Sequence, residues 1–172
     1  DGTEIAYYRS GSGKPLLLVH GGTADHQRWA AISPRFEAHF SVYAMDRRGR
    51  GGSGDAAQYA LAREAKDVAA VVEAISMQAG GPVAVLGHSY GGLCSLEAAL
   101  RTDQISRLIL YEPPLPLGLP LYEPGIPERI QTLIDDNKLE QALEMFLREE
   151  VKMPEHELAI YRSLPMWQER IK

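Results

Sequence analysis

The chain has one cysteine, Cys94, in 172 residues. One thiol excludes an internal disulfide and any multi-cysteine metal cluster, and it fits a reducing, cytoplasmic setting. Basic residues are not in excess: 18 Lys and Arg against 23 Asp and Glu leave a formal charge of -5. A surface that tracks phosphates is therefore not expected, which argues against nucleic acid as a partner. No stretch approaches the ~20 apolar residues that cross a bilayer, so no membrane partner is expected either. The start, Asp1-Gly2-Thr3-Glu4, has neither a signal-peptide layout nor a methionine, and the expectation is a start downstream of the natural one. Internal repeats and low-complexity tracts are also missing.

Apolar residues at 45% and charged residues at 24% match a globular domain with a real core. Their distribution divides the chain. Residues 1 to 110 carry 11 basic and 11 acidic side chains, whereas residues 111 to 172 carry 7 and 12. Of the 16 glycines, 14 precede Tyr111, after which prolines crowd at Pro113, Pro114, Pro116, Pro120, Pro124 and Pro127. Two regions are expected, 1–114 and 115–172.

In the first region short apolar runs end in breakers. Leu16-Leu17-Leu18-Val19, Phe40 to Met45, Val83 to Leu86 and a run within Ile105 to Tyr111 read as buried parallel strands, and Glu4 to Arg9 as an antiparallel edge strand. Leu61, Ala65, Val68, Val72 and Ile75 give one apolar face to a helix over about 60–78. Strand and helix alternate, which predicts an α/β fold with functional atoms at the carboxyl ends of the strands. In the second region Ile130, Leu133 and Ile134, then Leu139, Ala142, Leu143, Phe146 and Leu147, mark helices separated at Asp136-Asn137.

The strongest chemical signal is Gly87-His88-Ser89-Tyr90-Gly91, between a strand and a helix expected over 92–100. A serine hydroxyl is a poor nucleophile unless a sharp turn presents it beside a base. Glycines two before and two after Ser89 remove side chains that would collide across such a turn. The amide of Tyr90 is a natural donor to an oxyanion, and His20-Gly21-Gly22-Thr23 offers a second, Gly22 ahead of Thr23. His88 is expected to point away from the serine oxygen, His20 to organise its loop, and His26 and His39 to lack the spacing of a metal site. His156 reads as a solvated surface residue.

Leu-Leu-Val-His-Gly-Gly at 17–22, Asp-Arg-Arg-Gly-Arg-Gly-Gly-Ser at 46–53 and Gly-His-Ser-Tyr-Gly at 87–91 together resemble the α/β-hydrolase superfamily. The likeness is to its capped esterase, lactonase, haloperoxidase-like and carbon–carbon hydrolase branches. It implies Ser89 as catalytic nucleophile, Gly22 and Tyr90 as the oxyanion hole, Glu112 as a possible alternative acid, Asp46-Arg47-Arg48 mainly as a brace with Asp46 paired to Arg47 or Arg48, and a helical cap after Pro114. It implies no metal or organic cofactor. The expected activity is that of a serine hydrolase on a small, partly apolar carboxylic ester or lactone, through an acyl-enzyme. The alternative is a noncatalytic hydrolase-like binding or assembly subunit.

In that family the histidine follows the nucleophile and the acid in chain order. The expectation is therefore a chain cut before its catalytic histidine: the N-terminal part of the sheet with the start of a cap. Such a chain would be inactive until a complementary C-terminal segment or second chain supplied the histidine and acid.

Overall fold

The computed structural model describes residues 1–115, 118 and 123–171. Pro116 and Pro120 fall outside them. Two compact units divide the chain, Asp1–Leu115 and Pro116–Lys172.

In the first unit five strands form one sheet in the order β1-β3-β2-β4-β5. They are β1 (Tyr7–Gly11), β2 (Lys14–Val19), β3 (Phe40–Met45), β4 (Val83–His88) and β5 (Ile105–Tyr111). Strand β1 runs antiparallel to β3, with Tyr7 opposite Met45. The other neighbours are parallel, with Leu16 opposite both Val42 on β3 and Ala84 on β4. Each parallel step needs a crossover. That between β3 and β4 contains α2 (Leu61–Ala79), and that between β4 and β5 contains α3 (Tyr90–Ala98). Helix α2 stops at Gly80, whose φ of 70° is the left-handed cap that glycine adopts without a Cβ penalty.

Alternation along β2 shows why that strand reads as continuously apolar. Leu17 and Val19 face one core with Val68, Val72, Ile75, Val85 and Ala98, from α2, β4 and α3. Leu16 and Leu18 face a second with Trp29, Val42 and Ala44. A strand buried on both faces has no polar side to show. Helix α1 (Ser33–Glu37) precedes β3 and sends Phe36 to the second core.

The second unit contains α4 (Ile126–Asp135), α5 (Leu139–Met145), a π turn over 146–150, α6 (Glu155–Arg162) and α7 (Met166–Arg170). Asn137, at φ 57°, makes the break between α4 and α5. Leu143, Leu147, Leu158 and Trp167 form a separate core, and Trp167 Nε1 donates to Glu140 at 2.9 Å.

These units correct the expected fold class. The expectation is a partial sheet with only the beginning of a cap. All five strands are hydrogen-bonded into a single sheet. The helices after residue 125 enclose a core of their own, as a helical cap unit. No helix among the described residues is long and apolar enough to cross a membrane.

Candidate active site

Ser89 sits where β4 ends and α3 begins, with φ 50° and ψ -125°. A non-glycine residue rarely occupies positive φ, and such strain persists only where the surroundings enforce it. Here they do. The Ser89 amide donates to the Tyr111 carbonyl on β5 at 2.8 Å, and the Gly92 amide donates to the Ser89 carbonyl at 2.8 Å. A Cβ on Gly87 would lie 2.6 Å from Gly92 Cα. One on Gly91 would lie 2.2 Å from the His20 carbonyl oxygen. Only glycine permits strand, turn and helix to pack this closely.

The loop after β2 lies against this turn, since a Cβ on Gly21 would stand 3.2 Å from Ser89 Cβ. A Cβ on Gly22, by contrast, would meet nothing within 4 Å. The Gly22 amide has no hydrogen-bond acceptor among the described residues. Tyr90 is the first residue of α3, so its amide is one of the four that a helix leaves without an internal partner. Two donors thus stand on the segments that flank Ser89.

The Ser89 hydroxyl forms no hydrogen bond with an imidazole among the described residues. The His88 ring stacks on Tyr111 at 5.3 Å and meets Trp29 edge to face. Burial, reinforced by the charge of Arg28, holds the His88 pKa below its ordinary value. His20 is fully buried. Its Nδ1 donates to the Gly21 carbonyl at 2.8 Å, and its Nε2 accepts from the Arg47 amide at 3.1 Å. Both bonds suit one neutral tautomer. Burial and then the Arg47 charge lower its pKa from 6.5 to about 4. Glu112 follows β5 at φ 51° and makes no hydrogen bond to a histidine among the described residues. His156 is exposed.

Asp46 is paired differently from expectation. Its carboxylate accepts from the His26 amide at 2.7 Å, from His26 Nδ1 at 2.9 Å and from the Gly52 amide at 2.8 Å. The arginines reach α2 instead. Arg47 forms a two-pronged pair with Glu64, and Arg48 one with Asp67. Asp25, His26 and Asp46 are also close enough to share a cation, a grouping that the sequence spacing of His26 does not show. The site is already knotted by hydrogen bonds, Asp25 accepting from the Gln27 amide at 2.8 Å. Sequence reasoning missed it because Asp46 lies 20 residues beyond His26.

Glu64, in the first turn of α2, is a further buried charge that the sequence analysis does not single out. It is 1% exposed. Burial pushes its pKa up, but the bonds and charge of Arg47, with the Tyr59 hydroxyl at 2.5 Å, outweigh that and hold it below the ordinary value. The nearby Cys94 thiol is pushed up to about 12 by burial and by Glu64, so it stays protonated.

A strained serine at a strand-to-helix turn, with a glycine loop against it, defines the class. The Alpha/beta hydrolase family matches residues 16–170, and the chain belongs to it. A crystal structure of an alpha/beta hydrolase from Sphaerobacter thermophilus DSM 20745 is 38% identical, with a TM-score of 0.86, over 99% of this chain and 65% of that one. A 2-hydroxy-6-oxo-6-(2'-aminophenyl)hexa-2,4-dienoic acid hydrolase of Metapseudomonas resinovorans is 29% identical over 114 residues, 63% of this chain and 39% of its own. A pimeloyl-[acyl-carrier protein] methyl ester esterase of Aliivibrio fischeri is 30% identical over 108 residues, 62% of this chain and 39% of its own. The chain thus spans 39% of the length of these two curated relatives.

These matches correct three further expectations. Sheet and helical unit are followed together, within one chain of the Sphaerobacter protein, and the family match continues to residue 170. Against the expectation of a chain cut short before its catalytic histidine, the family match runs through both units to residue 170. The matches give no role to a complementary segment or second chain that supplies histidine and acid. Nothing in them marks the site as inactive.

Proposed function

We propose that the protein is a serine hydrolase in which Ser89 attacks the carbonyl carbon of a small, partly apolar carboxylic ester or lactone. The observation that carries this reading is the backbone of Ser89, held at φ 50° and ψ -125° between β4 and α3. Strain of this kind costs on the order of 1–3 kcal/mol and clusters where a side chain must be presented.

The hydroxyl proton passes to a general base as the oxygen–carbon bond forms. His20 and His88 are committed to the contacts described above, so the base is another group. The carbonyl oxygen becomes an oxyanion, received by the amides of Gly22 and Tyr90. Collapse of the tetrahedral intermediate expels the alkoxide, which is protonated, and leaves the acyl group on Ser89. Water then attacks this ester and releases the acid. A lactone differs only in that its alcohol stays tethered to the acyl group. The methyl ester esterase among the relatives supports the ester reading, and ester and lactone chemistry need the same parts.

The test is covalent labelling by a fluorophosphonate, located by mass spectrometry. The expected result is one adduct, on the peptide carrying Ser89, and none in Ser89→Ala. A protein that takes up no label at Ser89 overturns the reading.

A further inference from the structure

We propose that Arg47 is a positioning residue for the oxyanion hole, holding the Gly21–Gly22 peptide so that its N–H points to where the intermediate gathers charge. This rests on the reading of Ser89 as nucleophile and of Gly22 and Tyr90 as donors.

The argument begins with peptide geometry. Carbonyl and amide of one trans peptide are coplanar and point in opposite directions. The amide of Gly22 belongs to the same unit as the carbonyl of Gly21, so whatever fixes that oxygen aims that N–H. Two donors fix it: Arg47 Nη1 at 2.6 Å and His20 Nδ1 at 2.8 Å. Among the described residues Arg50 Nε also donates to the Gly22 carbonyl, at 3.2 Å, but that oxygen belongs to the next peptide and does not aim the Gly22 N–H. Glycine turns freely about φ and ψ, and the space beside its Cα is open to 4 Å.

Arg47 is itself immobile. Its Nε donates to Glu64 Oε2 at 2.7 Å and its Nη2 to Glu64 Oε1 at 2.6 Å. Both side chains are buried, at 3% and 1% exposure. A guanidinium is planar, so two prongs set on Glu64 determine the direction of the third. The same cation lies over the Tyr90 ring, 4.8 Å from its centroid. Tyr90 carries the second donor, so one buried cation touches both residues' surroundings. A charged donor on a carbonyl also polarises the peptide and strengthens its N–H as a donor. A lysine ammonium is a point charge and cannot grip Glu64 in two places while reaching Gly21.

Arg48 supplies the control. It makes the same kind of two-pronged pair with α2, through Asp67 at 2.6 and 2.8 Å, but no described contact with the Gly21 peptide. Saturation kinetics of fluorophosphonate labelling on the whole chain separate reversible binding from the covalent step. In Arg47→Lys the rate constant of the covalent step should fall about 10- to 100-fold, less than the roughly 100- to 1,000-fold that follows outright loss of one oxyanion donor, because the N–H is misaimed and not removed. The half-saturating concentration should stay within about twofold. Arg48→Lys should leave both unchanged. A merely structural role would lower the fraction of protein that reacts, not the rate constant of the part that does.

If Arg47→Lys fails to fold, Arg47→Met with Glu64→Leu removes both buried charges together and is expected to show the same slow step. Equal rate constants in the wild type and either folded variant overturn the inference and leave Ser89 as nucleophile. A wild-type protein without label at Ser89 overturns both.

Discussion

At the scale of single residues the site depends on atoms that are missing from side chains. Gly91 lies in the first turn of α3 with ordinary helical backbone, where alanine would by propensity alone be better by about 1 kcal/mol. The environment reverses that sign. The added methyl would lie 2.2 Å from the His20 carbonyl oxygen and 2.6 Å from that of Val19. Both belong to the backbone at the end of β2, which is bonded to strands on either side. It cannot yield as the tip of a side chain could. Helix α3 must then move off the sheet, and overpacking of this kind costs about 1–3 kcal/mol. Gly91→Ala is expected to lower the thermal midpoint by several degrees, since about 1 kcal/mol is worth roughly 2–4 °C in a chain of this size. It should also slow fluorophosphonate labelling, because Ser89 is the N-cap of the helix that moves. Calorimetry and the labelling rate check it together. A midpoint at or above that of the wild type would refute the steric account.

At the scale of elements the helical unit has its own test. Leu158 on α6 is fully buried in the cluster with Leu143, Leu147 and Trp167. Truncating a buried leucine to alanine loses transfer free energy and leaves a cavity, at a cost of roughly 2–5 kcal/mol. Leu158→Ala should therefore weaken hydrogen-exchange protection of the amides in α5 and α6. Unchanged protection in both helices would show that Leu158 does not hold them together. Elements were also the most legible level of the sequence. The run Phe40 to Met45 is β3 residue for residue, and the apolar spacing from Leu61 to Ile75 marks α2, observed over Leu61–Ala79. Local periodicity carries that information because burial repeats with the element. It does not carry the partners of charges. Arg47 and Glu64 lie 17 residues apart, and Arg48 and Asp67 lie 19 apart. Glu64, three residues after Leu61 and four before Val68, shares the apolar face of α2, and the arginine after β3 supplies the partner that lets a carboxylate sit there. Asp46 shows the same limit, since His26 becomes its neighbour only when the loops after β2 and β3 are brought side by side by parallel pairing. The turn at Ser89 was readable because glycines on both sides are a local signature.

At the scale of the whole molecule these buried groups make stability depend on pH, with a sign that His20 fixes. Its pKa is about 4 in the folded chain against 6.5 for the ordinary group, lowered by burial and then by Arg47. Between those values the unfolded chain holds more protons than the folded one, so stability rises with pH across that window. The contribution is full above about pH 6.5 and is lost as pH falls toward 4. A proton on Nε2 would face the Arg47 amide, which already donates there. A shift of this size corresponds to about 3 kcal/mol at most. His88, also lowered by burial, acts in the same direction, and Glu64, held below its ordinary value, adds a loss at lower pH. The share of His20 is therefore read by difference. Asparagine can keep the donor to the Gly21 carbonyl through its amide and has no titrating ring. The unfolding free energy from urea titration should fall more steeply between pH 7 and pH 4.5 in the wild type than in His20→Asn. Parallel pH profiles would mean that the imidazole is not kept neutral by the fold, and the bond from Nδ1 that helps to aim the oxyanion peptide would then be independent of pH.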